Sequence, residues 1–273
     1  MKVLRKRKKV ENSEDTLFIT IVIDHYHRYG RHDLVWRKKI SPYTILVSEI
    51  MLQQTQVSRV LPKFILWMKC YPTLKALGTG TLHGVLVLWQ GLGYQRRAKA
   101  LLSIAKEYSI LPRSYVDLLG LSGIGTYTAS AICAFAYNQF AHPVLETNIR
   151  TALIEYFHLN ETAVHDGVLY DDLSRIEGSK KVQSLGARQW YYALMDYGAY
   201  LKASKISHNR KSAHHMIQST FKGSLRELRA KTLFAITHNK NLPIDERLET
   251  VLFQLEKEGY VTKNKSRYTL KNF

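Results

Sequence analysis

Four short stretches carry the side chains most able to do chemistry. SEIMLQQTQV, Ser48 to Val57, holds Glu49 ahead of Gln53, Gln54, Thr55 and Gln56. On a helix, Glu49 lies one turn from Gln53 and on the same face. A first-turn carboxylate is ordinarily a surface charge or a capping partner, but the neighbouring amides suit base edges, adenine in particular. PVLETNIRTAL, Pro143 to Leu153, puts Glu146 and Asn148 at a helix start, where both residue types serve as caps. Taken with Glu49, Glu146 supplies the second carboxyl group that cleavage of a glycosidic bond uses, one donating a proton and the other staying ionised. LLGLSGIGTYTASAICAFA, Leu118 to Ala136, sets Gly123 and Gly125 before an apolar helical run. The N–H groups that open a helix lack intrahelical partners and suit a phosphate; a sharp helix-helix connection with no ligand would look the same. WQGLGYQRRAKAL, Trp89 to Leu101, offers a turn at Gly91 and Gly93, an aromatic tip at Tyr94, and Arg96, Arg97 and Lys99 behind it. Such a loop can wedge into a duplex and hold phosphates, or Tyr94 can cap a core.

The elements that position these residues read as mainly α. Apolar residues recur with a helical period at 13–29, 42–57, 59–69, 82–88, 95–108, 114–119, 126–137, 146–157, 168–175 and 181–197, joined by connections such as YPTL, GLGY and LSGIG. The pattern lapses across ASKISHNRKSAHHMIQST, then resumes at 224–237 and 243–258 before two β-like runs around an Asn-Lys-Ser turn. This predicts a basic arm over 1–12, a helical core over 13–202 with its hairpin at 120–127, a basic linker over 203–221 and a winged-helix-like α+β module over 222–273.

Composition narrows the partners. Forty Lys plus Arg against 22 Asp plus Glu give 273 residues a formal charge of +18, which points to a polyanion, nucleic acid first. No run of eighteen apolar residues is present, so a membrane partner is not expected, and MKVLRKRKKV does not resemble a secretory signal. Cys70 and Cys133 are the two cysteines, which suits reduced thiols in a cytoplasmic protein and excludes a four-cysteine zinc or iron–sulfur site within this chain.

DLVWR, SEIMLQQTQV, GLGYQRRAKAL, LSGIGTYTASAI and VLETNIR follow one another over about Leu34 to Gly198. In that order they resemble the helix–hairpin–helix (HhH-GPD) base-excision DNA glycosylases, and within them the A/G-specific adenine-excising branch. The resemblance implies a two-lobed helical glycosylase fold, with the winged-helix-like module appended. LSGIG is similar to the hairpin that grips a DNA phosphate, often with a bound monovalent cation, and Gly123, Gly125, Thr126, Thr128, Arg96 and Arg97 are the implied phosphate contacts. Glu49 corresponds to the general acid that protonates the departing purine. Glu146 stands where the family usually has Asp, stabilising positive charge on the sugar or bonding with it transiently. Tyr127 occupies the place where bifunctional relatives carry a Schiff-base lysine, so a monofunctional enzyme is implied. Trp36, Arg37, Gln53 and Asn148 resemble pocket residues, and Gln54, Thr55, Leu92 and Tyr94 those that fill the gap in the helix and touch the opposite base.

Two features depart from that branch. Its four-cysteine iron–sulfur cluster has no counterpart after ALMDYGAYLKA, where the basic loop instead carries His208, His214 and His215, and no cofactor or metal is expected. Its large β-rich C-terminal domain is replaced by the winged-helix-like segment. The expected partner is double-stranded DNA with a mispaired or damaged base, bound by a monomer in the cytoplasm, at the nucleoid in a bacterium or archaeon. The expected reaction is hydrolytic removal of adenine opposite guanine or 8-oxoguanine. Removal of thymine or uracil opposite guanine, and a non-catalytic damage-sensing protein, are the alternatives.

Overall fold

The computed structural model describes residues 12–206, 208, 211–213, 220–240, 245–264 and 267–271. The basic arm apart from Asn12, the pair His214 and His215, and part of the Asn-Lys-Ser turn lie outside the described residues. In chain order the helices are α1 (Ser13–Tyr29), α2 (Val35–Lys38), α3 (Pro42–Leu52), α4 (Val57–Cys70), α5 (Leu74–Gly78), α6 (Leu82–Trp89), α7 (Arg96–Glu107) and α8 (Tyr115–Leu119). They continue with α9 (Thr126–Phe135), α10 (Thr147–Phe157), α11 (Asp166–Glu177), α12 (Lys180–Leu185), α13 (Ala187–Ala203), α14 (Leu225–Thr237) and α15 (Glu246–Lys257). Two strands, β1 (Val261–Asn264) and β2 (Arg267–Leu270), close the chain as an antiparallel hairpin with Val261 opposite Leu270. No helix of the described residues is long and apolar enough to cross a membrane.

The chain divides into two compact units, Met1–Lys38 with Ser130–Met216, and Lys39–Ala129 with Ile217–Phe273. In the first, α13 is the central helix and packs on α1 and α10. Phe18 lies edge-on to Phe157 and Trp190, all part of one apolar core with Val22, Leu153 and Leu194. Gly198 lets α13 approach α10, because a Cβ there would come within 2.0 Å of the Asn148 carbonyl oxygen. In the second unit Trp67 and Trp89 meet edge to face at 5.6 Å, beside buried Ile45, Leu46, Ile50 and Leu101. The α14–α15 pair and its hairpin belong to this unit.

Element boundaries differ from the periodicity at several places, and three have a visible cause. The helix expected over 42–57 starts from a Ser41–Thr44 capping box with Pro42 at its first position, and ends at Leu52. Gln54 then takes a left-handed φ of 54°, and α4 begins at Val57. The helix expected over 181–197 is split at Gly186, whose φ of 85° ends α12 and whose missing Cβ leaves room for the Asn138 amide. YPTL, expected as a plain connection, leads into α5, capped by Thr73.

Candidate active site

Glu49 lies in the last turn of α3, not the first turn of a helix, and is 6 % exposed. Pro42 and the capping box start α3 seven residues before Glu49, and Gln53 becomes the cap residue that leaves it. Tyr127, in the first turn of α9, donates its hydroxyl to Glu49 Oε2 at 2.7 Å. Next to this pair, Gln53 Nε2 donates to Thr128 Oγ1 at 3.1 Å, so α3 and α9 are tied by two side-chain bonds. Thr128, among the implied phosphate contacts, is 2 % exposed and its hydroxyl turns inward to Gln53.

The hairpin that starts α9 is built by local bonds. The Leu121 amide donates to the Leu118 carbonyl, the Ile124 amide to the Leu121 carbonyl, and the Ala129 amide to the Gly125 carbonyl, which opens the helix. Gly123 has a φ of 74°, and a Cβ on it would meet the Ala100 Cβ at 2.8 Å, so the residue seats the hairpin on α7. Gly125 has neither constraint: its φ is not in the left-handed range, and a Cβ would meet nothing within 4 Å. Packing gives no reason for glycine there. The residues that open α9 there, Gly125 and Thr126, are exposed.

The Gly91–Tyr94 loop reaches its shape through three positive φ angles, 87° at Gly91, 72° at Gly93 and 46° at Tyr94. Arg97 holds it from inside. Its Nη2 donates to the Leu92 carbonyl at 2.7 Å and the Gly93 carbonyl at 3.2 Å, while Nη1 donates to the Ile50 carbonyl at 2.8 Å and the Gln53 carbonyl at 2.6 Å. Burial lowers its guanidinium to about 10, which still leaves it charged at neutral pH. Arg97 therefore corrects the sequence expectation: it is a buried brace, whereas Arg96 beside it is exposed and sits over the Tyr94 ring. Leu92, expected to fill the gap in the helix and touch the opposite base, is only 3 % exposed. Thr55 Oγ1 donates to the Leu92 carbonyl at 3.3 Å, and Gln54 is exposed.

In the first unit Glu146 is the N-cap of α10. Its Oε1 accepts from the Asn148 amide at 2.8 Å and the Ile149 amide at 3.0 Å, and Oε2 accepts from the Thr147 hydroxyl at 3.1 Å. Those donors and the helix dipole complement a carboxylate and fix where it points. Lys202, which sequence reading passed over, donates to Thr147 Oγ1 at 3.0 Å; burial lowers its amine, and the nearby charge of Glu146 offsets part of that. Asn148 is half-buried. Trp36 is buried, and Arg37 is corrected as a pocket contact, since its side chain is 5 % exposed and forks onto Asp196 at 2.7 and 2.9 Å. Burial pushes the Asp196 carboxyl up, but hydrogen bonds and charge from Arg37 and Arg31 prevail and hold it below the usual range.

The segment that presents Glu146 has a buried anchor. Tyr191 Oη donates to Glu177 Oε1 and accepts from the Val144 amide at 3.0 Å, two residues before Glu146. Burial raises the Glu177 carboxyl to about 7, against the opposing effect of the Tyr191 hydrogen bond. A folded-state value raised above the unfolded one makes stability greatest below the ordinary carboxylate range and lets it fall as pH rises through about 7. Over that window the loss amounts to as much as about 3 kcal/mol. Glu177→Gln is expected to flatten this slope in urea titrations between pH 5 and pH 8, and an unchanged slope would reassign the titration to another group.

The cysteines do not fit a four-thiolate cluster: Cys70 ends α4 exposed, Cys133 is buried in α9, and the chain has no others. Among the described residues no group of three or more His, Cys, Asp or Glu is placed to hold a metal ion. His208 pairs with Glu155 instead.

Comparison with known proteins places this geometry. Residues 47–184 match the profile of the HhH-GPD superfamily base excision DNA repair proteins. An adenine DNA glycosylase of Buchnera aphidicola subsp. Acyrthosiphon pisum is 34% identical over 188 residues, 67% of this chain and 53% of that protein. Another, from Mycolicibacterium smegmatis, is 45% identical over 139 residues, 49% of this chain and 47% of its own length. A third, from Buchnera aphidicola subsp. Baizongia pistaciae, is 39% identical over 149 residues, covering 53% and 42%. The chain thus spans about half the length of the curated relatives it matches. Among solved structures, a thermostable thymine-DNA glycosylase aligns with a TM-score of 0.58 at 20% identity, covering 72% of this chain and 92% of that one. Endonuclease III in a non-covalent DNA complex aligns at 0.51 and 14% identity, covering 70% and 86%. At these identities the likeness is one of fold.

Proposed function

Because the chain belongs to the HhH-GPD superfamily of base excision DNA repair proteins, we propose that it is a monofunctional DNA glycosylase that removes adenine mispaired with guanine or 8-oxoguanine. The observation that carries this is the buried Glu49 carboxyl bonded to the Tyr127 hydroxyl at 2.7 Å, supported by relatives named adenine DNA glycosylase. A purine leaves poorly as an anion and well as a neutral base, so a proton delivered to its ring nitrogen by Glu49 lowers the barrier. The bond from the sugar carbon to the base breaks, water adds its hydroxyl to that carbon, and the proton water gives up restores the acid. Glu146, held as an N-cap carboxylate, is the group we assign to stabilise positive charge on the sugar. Tyr127 has no amine, so no imine forms through it and the product is an abasic site in an uncut strand. The hairpin around Gly125 takes a phosphate of the same duplex; a monovalent cation there would add positive charge beside it, and no proton or bond moves through that ion. The protein acts as a monomer on DNA in the cytoplasm.

The test uses the purified chain on end-labelled duplexes with adenine opposite 8-oxoguanine, adenine opposite guanine, thymine opposite guanine or uracil opposite guanine, developed with and without alkali. Strand scission at adenine that requires alkali is expected. Scission at thymine or uracil alone would move the protein to pyrimidine excision, scission without alkali would overturn the monofunctional reading, and no scission on any duplex would leave a binding protein.

A further inference from the structure

The last side-chain torsion of a glutamate is broad, so bonds to one carboxyl oxygen do not by themselves aim the other. In Glu146 the Asn148 and Ile149 amides hold Oε1, while Oε2 takes the Thr147 hydroxyl at 3.1 Å. A threonine hydroxyl has a single hydrogen and is free by itself to turn it to another acceptor. Lys202 removes that choice. An ammonium only donates, so its bond to Thr147 Oγ1 at 3.0 Å makes that oxygen the acceptor and leaves the hydroxyl hydrogen for Glu146 Oε2. Donation from a charged group also polarises the hydroxyl and strengthens the bond it makes in turn.

The backbone puts Lys202 there. Gly198, one turn earlier on the same face of α13, admits the Asn148 carbonyl, so the last turns of α13 lie against the first turn of α10. A lysine ordinarily lays its stem along the surface and keeps its amine in water. Lys202 is instead half-buried; burial lowers its amine, and the charge of Glu146 opposes that. A cation needed only to complement the end of α13 would do so from solvent.

We propose that Lys202 is a positioning residue: acting through Thr147, it fixes the Glu146 carboxylate in the orientation that stabilises positive charge on the sugar. The inference rests on the glycosylase reading for what Glu146 does, and not for the bonds that hold it.

Three measurements on the full chain test it: single-turnover excision from a duplex with adenine opposite 8-oxoguanine, duplex affinity by fluorescence anisotropy, and titration of the Lys202 amine followed by NMR. Lys202→Met is expected to slow excision about tenfold, with affinity within about threefold of the parent and the urea midpoint in place. Thr147→Val is expected to match it, and the double variant to lose no more than either alone. Thr147→Ser, which restores the hydroxyl, is expected to recover most of the rate. In a Glu146→Gln background, Lys202→Met is expected to change the residual rate by less than about twofold, because the carboxylate it positions is gone. The Lys202 amine is expected to titrate at lower pH in Glu146→Gln than in the parent, since the charge that offsets burial is removed. A full loss on adding Lys202→Met to Glu146→Gln would overturn the proposal. A loss that arises through weaker duplex binding with a shallower salt slope would also overturn it, making Lys202 a phosphate contact. A lowered urea midpoint with excision intact would reduce Lys202 to a structural cation, and an amine titration indifferent to Glu146 would deny the link outright. If the parent excises from no duplex, the glycosylase reading fails, and the titration alone decides whether Lys202 holds Glu146.

Discussion

Glu49→Gln is expected to lower single-turnover adenine excision by about a thousandfold, while duplex affinity stays within about threefold of the parent. The variant keeps the shape of the side chain and an oxygen that can accept the Tyr127 hydroxyl, so the contact between α3 and α9 survives. What disappears is the exchangeable carboxyl proton. Folding stability is expected to move by less than about 1 kcal/mol, since a neutral amide replaces the acid in a position only 6 % exposed without opening a cavity. Tyr127→Phe supplies the comparison: it leaves the acid in place and removes one bond that orients it, and about a tenfold loss is expected. If Glu49→Gln retained excision within tenfold of the parent, the proton would have to come from elsewhere and the assignment of the acid would fall. If both variants lost activity through weaker duplex binding, the pair would be a structural tie and nothing more.

That Glu49 and Tyr127 touch was not legible in the chain, where 78 positions separate them. Each was visible singly, because a carboxylate ahead of a string of amides and a tyrosine just after a Gly-x-Gly turn are local patterns. Gly123 and Gly125 were legible as a turn opening a helix, but their different duties were not. One is fixed by the approach of Ala100 and a left-handed backbone, and the other has neither constraint. Periodicity placed most helices and failed where a backbone carbonyl or an amide from far along the chain decided the outcome. Nothing near Leu52 ends α3 by itself; the Ile50 and Gln53 carbonyls are taken by Arg97, and the chain can turn. Nothing near Gly186 except the glycine itself marks the break before α13, and the amide that fills its missing Cβ comes from Asn138. Glu146 was legible as a cap, because capping is a local contest between a side chain and the next three N–H groups. The Glu177–Tyr191–Val144 anchor behind it carries no such local signature.

Arg96 and Arg97 are adjacent and chemically alike, and substituting them is expected to have opposite signatures. Arg97→Met is expected to cost about 3 to 5 kcal/mol of folding stability, because it strips a charged donor from five buried or half-buried carbonyls at once and leaves them without replacements. Two elements lose their brace together, the end of α3 that carries Glu49 and the Gly91–Tyr94 loop. Excision is expected to fall with stability, by roughly a hundredfold or more at temperatures where the variant is still folded, since displacement of an acid by about an ångström suffices for that. The salt dependence of DNA binding by the folded fraction is expected to stay as in the parent. Arg96→Ala should do the reverse, leaving the urea midpoint in place and reducing the slope of log K against log salt by about one, as loss of a single phosphate contact does. Urea titration and salt-dependent anisotropy on the two variants separate these outcomes. A stable Arg97→Met protein with a shallower salt slope would show that the guanidinium leaves its carbonyls to meet DNA, and the buried brace would then describe only the protein without its substrate.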